Sequence, residues 1–126
     1  MELFGHLCQI VDSNEQPNGF ATTIRFFPDH AIFKGHFPGH PVTPGVIFLQ
    51  LVQELIEHHL KGRIRLVELP NCKFLGIVNP NTQPLVLVSV SINSELECLR
   101  VKAVGKDDSR TIFKLDVHYT VVQLTT

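Results

Sequence analysis

The chain has 126 residues, 44% hydrophobic and 18% charged, the composition of one ordinary folded domain, which excludes a chain disordered throughout. A formal net charge of −1, with the basic residues scattered, gives no footing for nucleic acid or an anionic membrane surface. No apolar run approaches the ~20 residues of a membrane-spanning helix, and three cysteines without metal-ligand spacing suit a reducing cytoplasm better than a disulfide framework. The start, MELFGHLCQIVD, has neither a basic leader nor a long apolar core and reads as no signal peptide.

Residues 3–12 read as a first strand closed by the turn-rich run DSNEQPNG. Residues 20–27, FATTIRFF, alternate and read as a second, ended by Pro28-Asp29. From 31 to 44 the chain holds Pro38, Pro41 and Pro44 with Gly35 and Gly39, so neither a helix nor a ladder strand persists there. The one strong helix starts at Pro44 or Gly45, where proline costs no hydrogen bond. Its apolar residues, Val46 to Leu60, wrap most of the cylinder, while Gln50, Gln53, Glu54, Glu57 and Lys61 form one narrow polar stripe. Gly62 is the expected stop.

A helix this apolar needs cover on several sides, and the cover follows in sequence. Val67 to Val78 is mostly apolar, interrupted at Pro70-Asn71. Residues 85–93, 95–104 and 111–122 read as three strands joined by Asn-Ser and Gly-Lys-Asp-Asp-Ser turns. In the last, Phe113, Leu115, Val117, Tyr119 and Val121 face one way, with Lys114, Asp116 and His118 on the other. Short turns imply antiparallel pairing. The expected architecture is one α+β domain over 1–126, with five to six antiparallel strands curling around a central helix.

The stretch GHFPGHPVTPGVIFLQ, residues 35–50, carries the chemistry. Gly35 before His36 and Phe37-Pro38-Gly39 after it leave the backbone few options, and a histidine near neutral pKa suits proton abstraction. Pro44-Gly45 opens the helix, and the exposed N–H groups at its positive end suit a carbonyl oxygen on which charge develops. A base beside an oxyanion site suggests proton removal next to a carbonyl. From residue types alone, a buried Pro/Gly-rich crossover whose His36 bonds a carbonyl stands as an equal alternative.

GHFPGHPVTPGV closely resembles the GHFPG-x-P-V-x-P-G-V loop of the β-hydroxyacyl-acyl-carrier-protein dehydratases of the hot-dog fold, matching nearly every position that the pattern fixes. The segment CKFLGIVNPNTQ is similar, more loosely, to a second family segment, A-R-F-x-x-P-V-x-P-G-D-Q. The resemblance implies a central helix in a curved sheet, with His36 as general base, the Val42 carbonyl fixing its tautomer and the Gly45 N–H holding the thioester oxygen. Phe37 and Val46 join them as candidate substrate contacts. It further implies acyl-acyl-carrier-protein as substrate, fatty acid or polyketide-like synthesis as setting, and no cofactor or metal. Assembly would be a homodimer, a multiple of it, or a pair with a Glu-bearing relative, in which base and acid meet across the interface.

Three departures from the family pattern matter. The family's acid position is Gln50, and Glu54 stands one turn later where the family carries Gln, so the two types are exchanged. A neutral amide protonates no leaving hydroxyl, and loss of a positioned acid costs about 10²–10⁴ in rate. Leu75, Gly76 and Ile77 replace part of the usual docking charge, leaving Lys73 and the candidates Arg63, Arg65 and Arg100. The N-terminal helix of many members has no counterpart. Short members of this kind occur in dedicated polyketide-like pathways, such as those making aryl polyene pigments.

Three readings stay open: a dehydratase with catalytic candidates His36, Gln50 and Glu54, a non-catalytic acyl-binding or partner subunit, and a hot-dog thioesterase using Glu54. A metal on His30, His36 and His40 is disfavoured because Pro38-Gly39 prevents the helical spacing it needs. His58-His59 is expected to face the helix's negative end, Asn79-Pro80-Asn81-Thr82 to be a turn, and the cysteines to act as small hydrophobes.

Overall fold

The computed structural model describes residues 3–28, 45–96 and 98–124. Its elements are β1 (Cys8–Gln16), β2 (Gly19–Phe26), α1 (Gly45–Leu60), β3 (Gly62–Phe74), β4 (Leu85–Glu95), β5 (Cys98–Lys106) and β6 (Thr111–Leu124). The six strands form one sheet in the order β1-β2-β4-β5-β6-β3, antiparallel at every pairing.

The alternation of β2, β4, β5 and β6 makes one face of the sheet apolar. Ile24, Val88, Val101 and Val117 are buried from it, while Ser89, Arg100, Lys102 and Lys114 point to solvent. Helix α1 packs Ile47, Phe48, Leu51, Val52, Leu55 and Ile56 into that apolar face, giving one continuous core. This is the sheet-wrapped helix that the sequence implies, with six strands.

Several boundaries differ from expectation. Strand β1 starts at Cys8, because residues 3–7 turn back on themselves through Leu7 N–H to Leu3 O (2.8 Å) and Gly5 N–H to Cys8 O (2.7 Å). It then runs through the polar DSNEQ segment, paired from Asp12↔Thr23 to Gln16↔Gly19. Ladder bonds come from the backbone, so an edge strand tolerates polar side chains on both faces. Pro70-Asn71 does not divide β3: the strand lies at the sheet's edge and takes up the proline in a register shift between Glu68 and Asn71.

The turn expected at Asn93-Ser94 lies later, at Leu96, whose φ is 54°. The helix does not stop on Gly62: Lys61 takes the left-handed conformation (φ 54°), and Gly62 already pairs with Leu124 in β3. Glycine is required there for approach rather than for a turn, because a Cβ would lie 2.4 Å from the Gln123 carbonyl oxygen.

Two turns match expectation. The Asn79 carbonyl takes the N–H groups of Thr82 (3.2 Å) and Gln83 (2.9 Å). Between β5 and β6, Asp107 Oδ1 accepts the N–H groups of Ser109 (3.0 Å) and Arg110 (3.1 Å). Those bonds, the Ser109 one first, and the Arg110 guanidinium hold the Asp107 carboxyl below its ordinary value.

Candidate active site

Gly45 is the first residue of α1, and the ring of Phe74 at the end of β3 lies directly over it. Phe74 also faces Phe48 at 6.3 Å between ring centroids, and Phe48 stacks on Phe113 at 4.7 Å. The start of the helix is therefore roofed by an aromatic group from an edge strand. Val46, next along, is 66% exposed and free to meet a ligand or a partner.

The polar stripe of α1 is only partly a solvated face. Gln50 Nε2 donates to Glu54 Oε2 at 2.9 Å, and Glu54 Oε1 accepts the Leu3 backbone N–H at 2.9 Å. Glu54 is 3% exposed, which makes it a buried carboxylate with both oxygens engaged. Further along, Gln53 Nε2 donates to the Ile64 carbonyl at 3.2 Å, and Glu57 Oε2 accepts the Ile64 N–H at 3.0 Å. One half of the stripe thus anchors the N-terminal turn, and the other anchors the start of β3. Between them lies a cleft of about 520 Å³ lined by Gln50, Gln53, Glu54, Glu57, Arg63 and Ile64.

Of the sequence candidates, Gly45, Val46, Gln50 and Glu54 sit on α1, and the last two are brought into direct contact. His36, Phe37 and Val42 lie outside the described residues, as do His30 and His40. The burial of Glu54 rests on a backbone group 51 residues earlier, and no local signal announces it. Phe74 over Gly45 was likewise missed; a phenylalanine in an apolar strand carries no hint of the helix end it covers.

Arg110 was missed as well. It reaches from the β5–β6 turn to the Ile77 carbonyl, and a Cβ on Gly76 would lie 3.0 Å from its Nη1. A cation therefore stands beside Leu75–Ile77, although those three positions carry none. His59, in the last turn of α1, meets the Phe20 ring at 4.6 Å between centroids, tilted by 32°, and Glu15 at 3.6 Å. Cys8 is fully buried, and burial first, then the charge of Glu54, pushes its thiol up to about 12.

Comparison with known proteins gives a consistent picture. The model of the ApeI-like family, described as ApeI dehydratase, matches residues 12–112. The 3-hydroxyacyl-acyl-carrier-protein dehydratase FabZ of Aliarcobacter butzleri is 32% identical over 97 residues, covering 65% of this chain and 66% of that protein. FabZ of Caldanaerobacter subterraneus subsp. tengcongensis is 29% identical over 82 residues, covering 59% of this chain and 57% of that one. The matched segment is thus under two thirds of the length of each of these curated relatives. Among solved structures, a chain of the dehydratase heterocomplex ApeI:P from Xenorhabdus doucetiae superposes with a TM-score of 0.63 at 21% identity, covering 88% of this chain and 96% of that one. The fold is the hot-dog fold, and the chain belongs to the ApeI-like dehydratase family.

Proposed function

We propose that this chain acts on β-hydroxyacyl thioesters of acyl carrier protein in fatty acid or polyketide-like synthesis, as a slow dehydratase giving trans-2-enoyl thioester and water. His36 removes the α-proton, with its tautomer held by the Val42 carbonyl. The Gly45 N–H, at the positive end of α1, holds the thioester oxygen as charge builds on it. Phe37 and Val46 line the acyl passage. The β-hydroxyl leaves as water, and its proton comes slowly because Gln50 has none to give. The protein works in the cytoplasm, without a cofactor, as a homodimer, a multiple of it, or a heterodimer.

One observation carries this reading. The run GHFPGHPVTPGV leads straight into α1 at Gly45, within the span that the dehydratase family model matches.

A second reading, that of a partner subunit paired with a Glu-bearing relative, is favoured by Glu54. A carboxylate that is 3% exposed, with both oxygens bonded, is badly placed to replace the missing acid. The same engagement weighs against a thioesterase in which Glu54 activates water. The heterocomplex in which the ApeI:P chains occur offers a precedent for such pairing.

The test is α-proton exchange of a β-hydroxybutyryl thioester in deuterated buffer, alongside enoyl formation, for wild type and His36→Ala. Exchange that is lost in a folded His36→Ala protein supports the base. Exchange unchanged by the substitution removes His36 from the mechanism.

A further inference from the structure

The Gln50–Glu54 pair has a polarity that its chemistry dictates. Each oxygen of the buried Glu54 carboxylate meets an N–H, Leu3 on Oε1 and Gln50 on Oε2. A carboxylate accepts and does not donate, so Gln50 turns its nitrogen toward Glu54 and its carbonyl oxygen away. An amide alone on a helix surface takes either orientation, whereas this one is held in one. Both residues line the cleft of about 520 Å³, which leaves room for a ligand beside the amide.

We infer that Glu54 is a positioning residue, locking the Gln50 amide so that α1 offers a carbonyl acceptor to the β-hydroxyl of a bound β-hydroxyacyl thioester. This rests on the acyl-thioester reading given above. The hydroxyl donates its proton in a hydrogen bond to Gln50 Oε1, and no covalent bond changes. A 3-oxoacyl thioester sets its own lone pairs against that oxygen, and a saturated acyl chain leaves it unpaired. The site therefore sorts its ligands by the oxidation state of the β-carbon, before any chemistry takes place.

The experiment is calorimetric binding of 3-hydroxybutyryl, 3-oxobutyryl and butyryl pantetheine, each with an amide in place of the thioester so that nothing turns over. Wild type should take the hydroxy ligand about tenfold more tightly than either other, the effect of one well-made hydrogen bond. In Glu54→Gln, the new side chain keeps its oxygen on the Leu3 N–H and turns its NH₂ toward Gln50. Gln50 must then face its own carbonyl inward, and the hydroxy-to-oxo ratio should fall to about one or invert. Gln50→Leu, which leaves Glu54 on Leu3, should abolish the preference and serves if Glu54→Gln fails to fold.

Equal binding of the hydroxy and oxo ligands by wild type overturns the inference, as does a preference unchanged in both variants. A wild type that binds none of the three overturns the acyl reading itself. The Gln50 side-chain amide signals in a nitrogen-15 spectrum then judge Glu54 separately. A marked shift in Glu54→Gln upholds its hold on the amide, and unchanged signals refute it.

Discussion

Phe74 lies so close over Gly45 that a methyl group on the helix's first residue would come within 2.8 Å of ring carbon Cδ2. The glycine makes room for the aromatic roof of the site. Gly45→Ala should therefore displace the ring and cost about 1–3 kcal/mol of stability, the usual range for overpacking. Phe74→Leu in the same chain should recover most of the loss. Urea denaturation of both variants tests it, and a Gly45→Ala protein as stable as wild type would show that the ring moves freely.

Gln50→Glu would bring two carboxylates to a hydrogen-bond distance now spanned by one amide. Two such groups cannot both ionise there, so they share a proton and the pair titrates with one value strongly raised. That leaves a proton donor at neutral pH, and dehydration should rise about 10²-fold. Gln50→Glu with Glu54→Gln rebuilds the family order and should gain a similar factor without the shared proton. Enoyl absorbance from a β-hydroxybutyryl thioester measures both, and a rate unmoved in either variant would assign the slow step elsewhere.

The cysteines should separate cleanly in a thiol titration of the native protein. Cys8 is fully buried with its thiol pushed up to about 12, while Cys72 and Cys98 are partly exposed. At pH 8, Cys72 and Cys98 should react with a disulfide reagent and Cys8 should not until the protein unfolds. The same burial sets an alkaline limit. The native Cys8 keeps its proton above the ordinary value of 9.0, so the folded chain binds more protons than the unfolded one between pH 9 and 12. Stability should fall as pH rises through that window. Tyr119, whose hydroxyl burial also pushes up, adds to the effect. Thermal melts at stepped pH check the sign.

Asp107 works at the acid end. Its carboxyl is held below its ordinary value, so its contribution is present above the unfolded pKa and disappears as pH falls through the folded one. Asp107→Ala removes the acceptor of the Ser109 and Arg110 N–H groups and of Arg110 Nε, and should cost about 1–2 kcal/mol. The loss should be full at neutral pH and shrink in acid, which denaturation at two pH values would reveal.

The sequence made the inner strands plain and the edges obscure. Strands β5 and β6 alternate because one face meets the core, and the pattern survives inspection of residues 98–124 alone. Strand β1 shows no such pattern beyond Ile10, since an edge strand held by backbone bonds needs no buried face. Helix α1 was plain from its apolar girth. Its polar stripe was legible too, but what the stripe holds was not, because the partners of Glu54 and Glu57 are backbone groups brought in by the fold. Lys61 could not be told from Gly62 as the left-handed residue, as glycine is the default choice for that role. The exchange of Gln50 and Glu54 was visible in the letters, but their hydrogen bond and its direction were not.

The two margins of the sheet guard themselves in different ways. Strand β1 presents Asp12, Ser13, Asn14 and Glu15, all exposed, and carries a bulge between Ile10 and Asp12. Strand β3, at the other margin, exposes Leu66, Val67 and Phe74 among the charged Arg63, Arg65, Glu68 and Lys73, and its register shifts in three places, one of them across Pro70. Charged side chains, bulges and an edge proline each hinder the addition of another strand. Neither margin offers a long flat apolar edge, so a concentrated solution of the protein has no ready template from which fibres would grow.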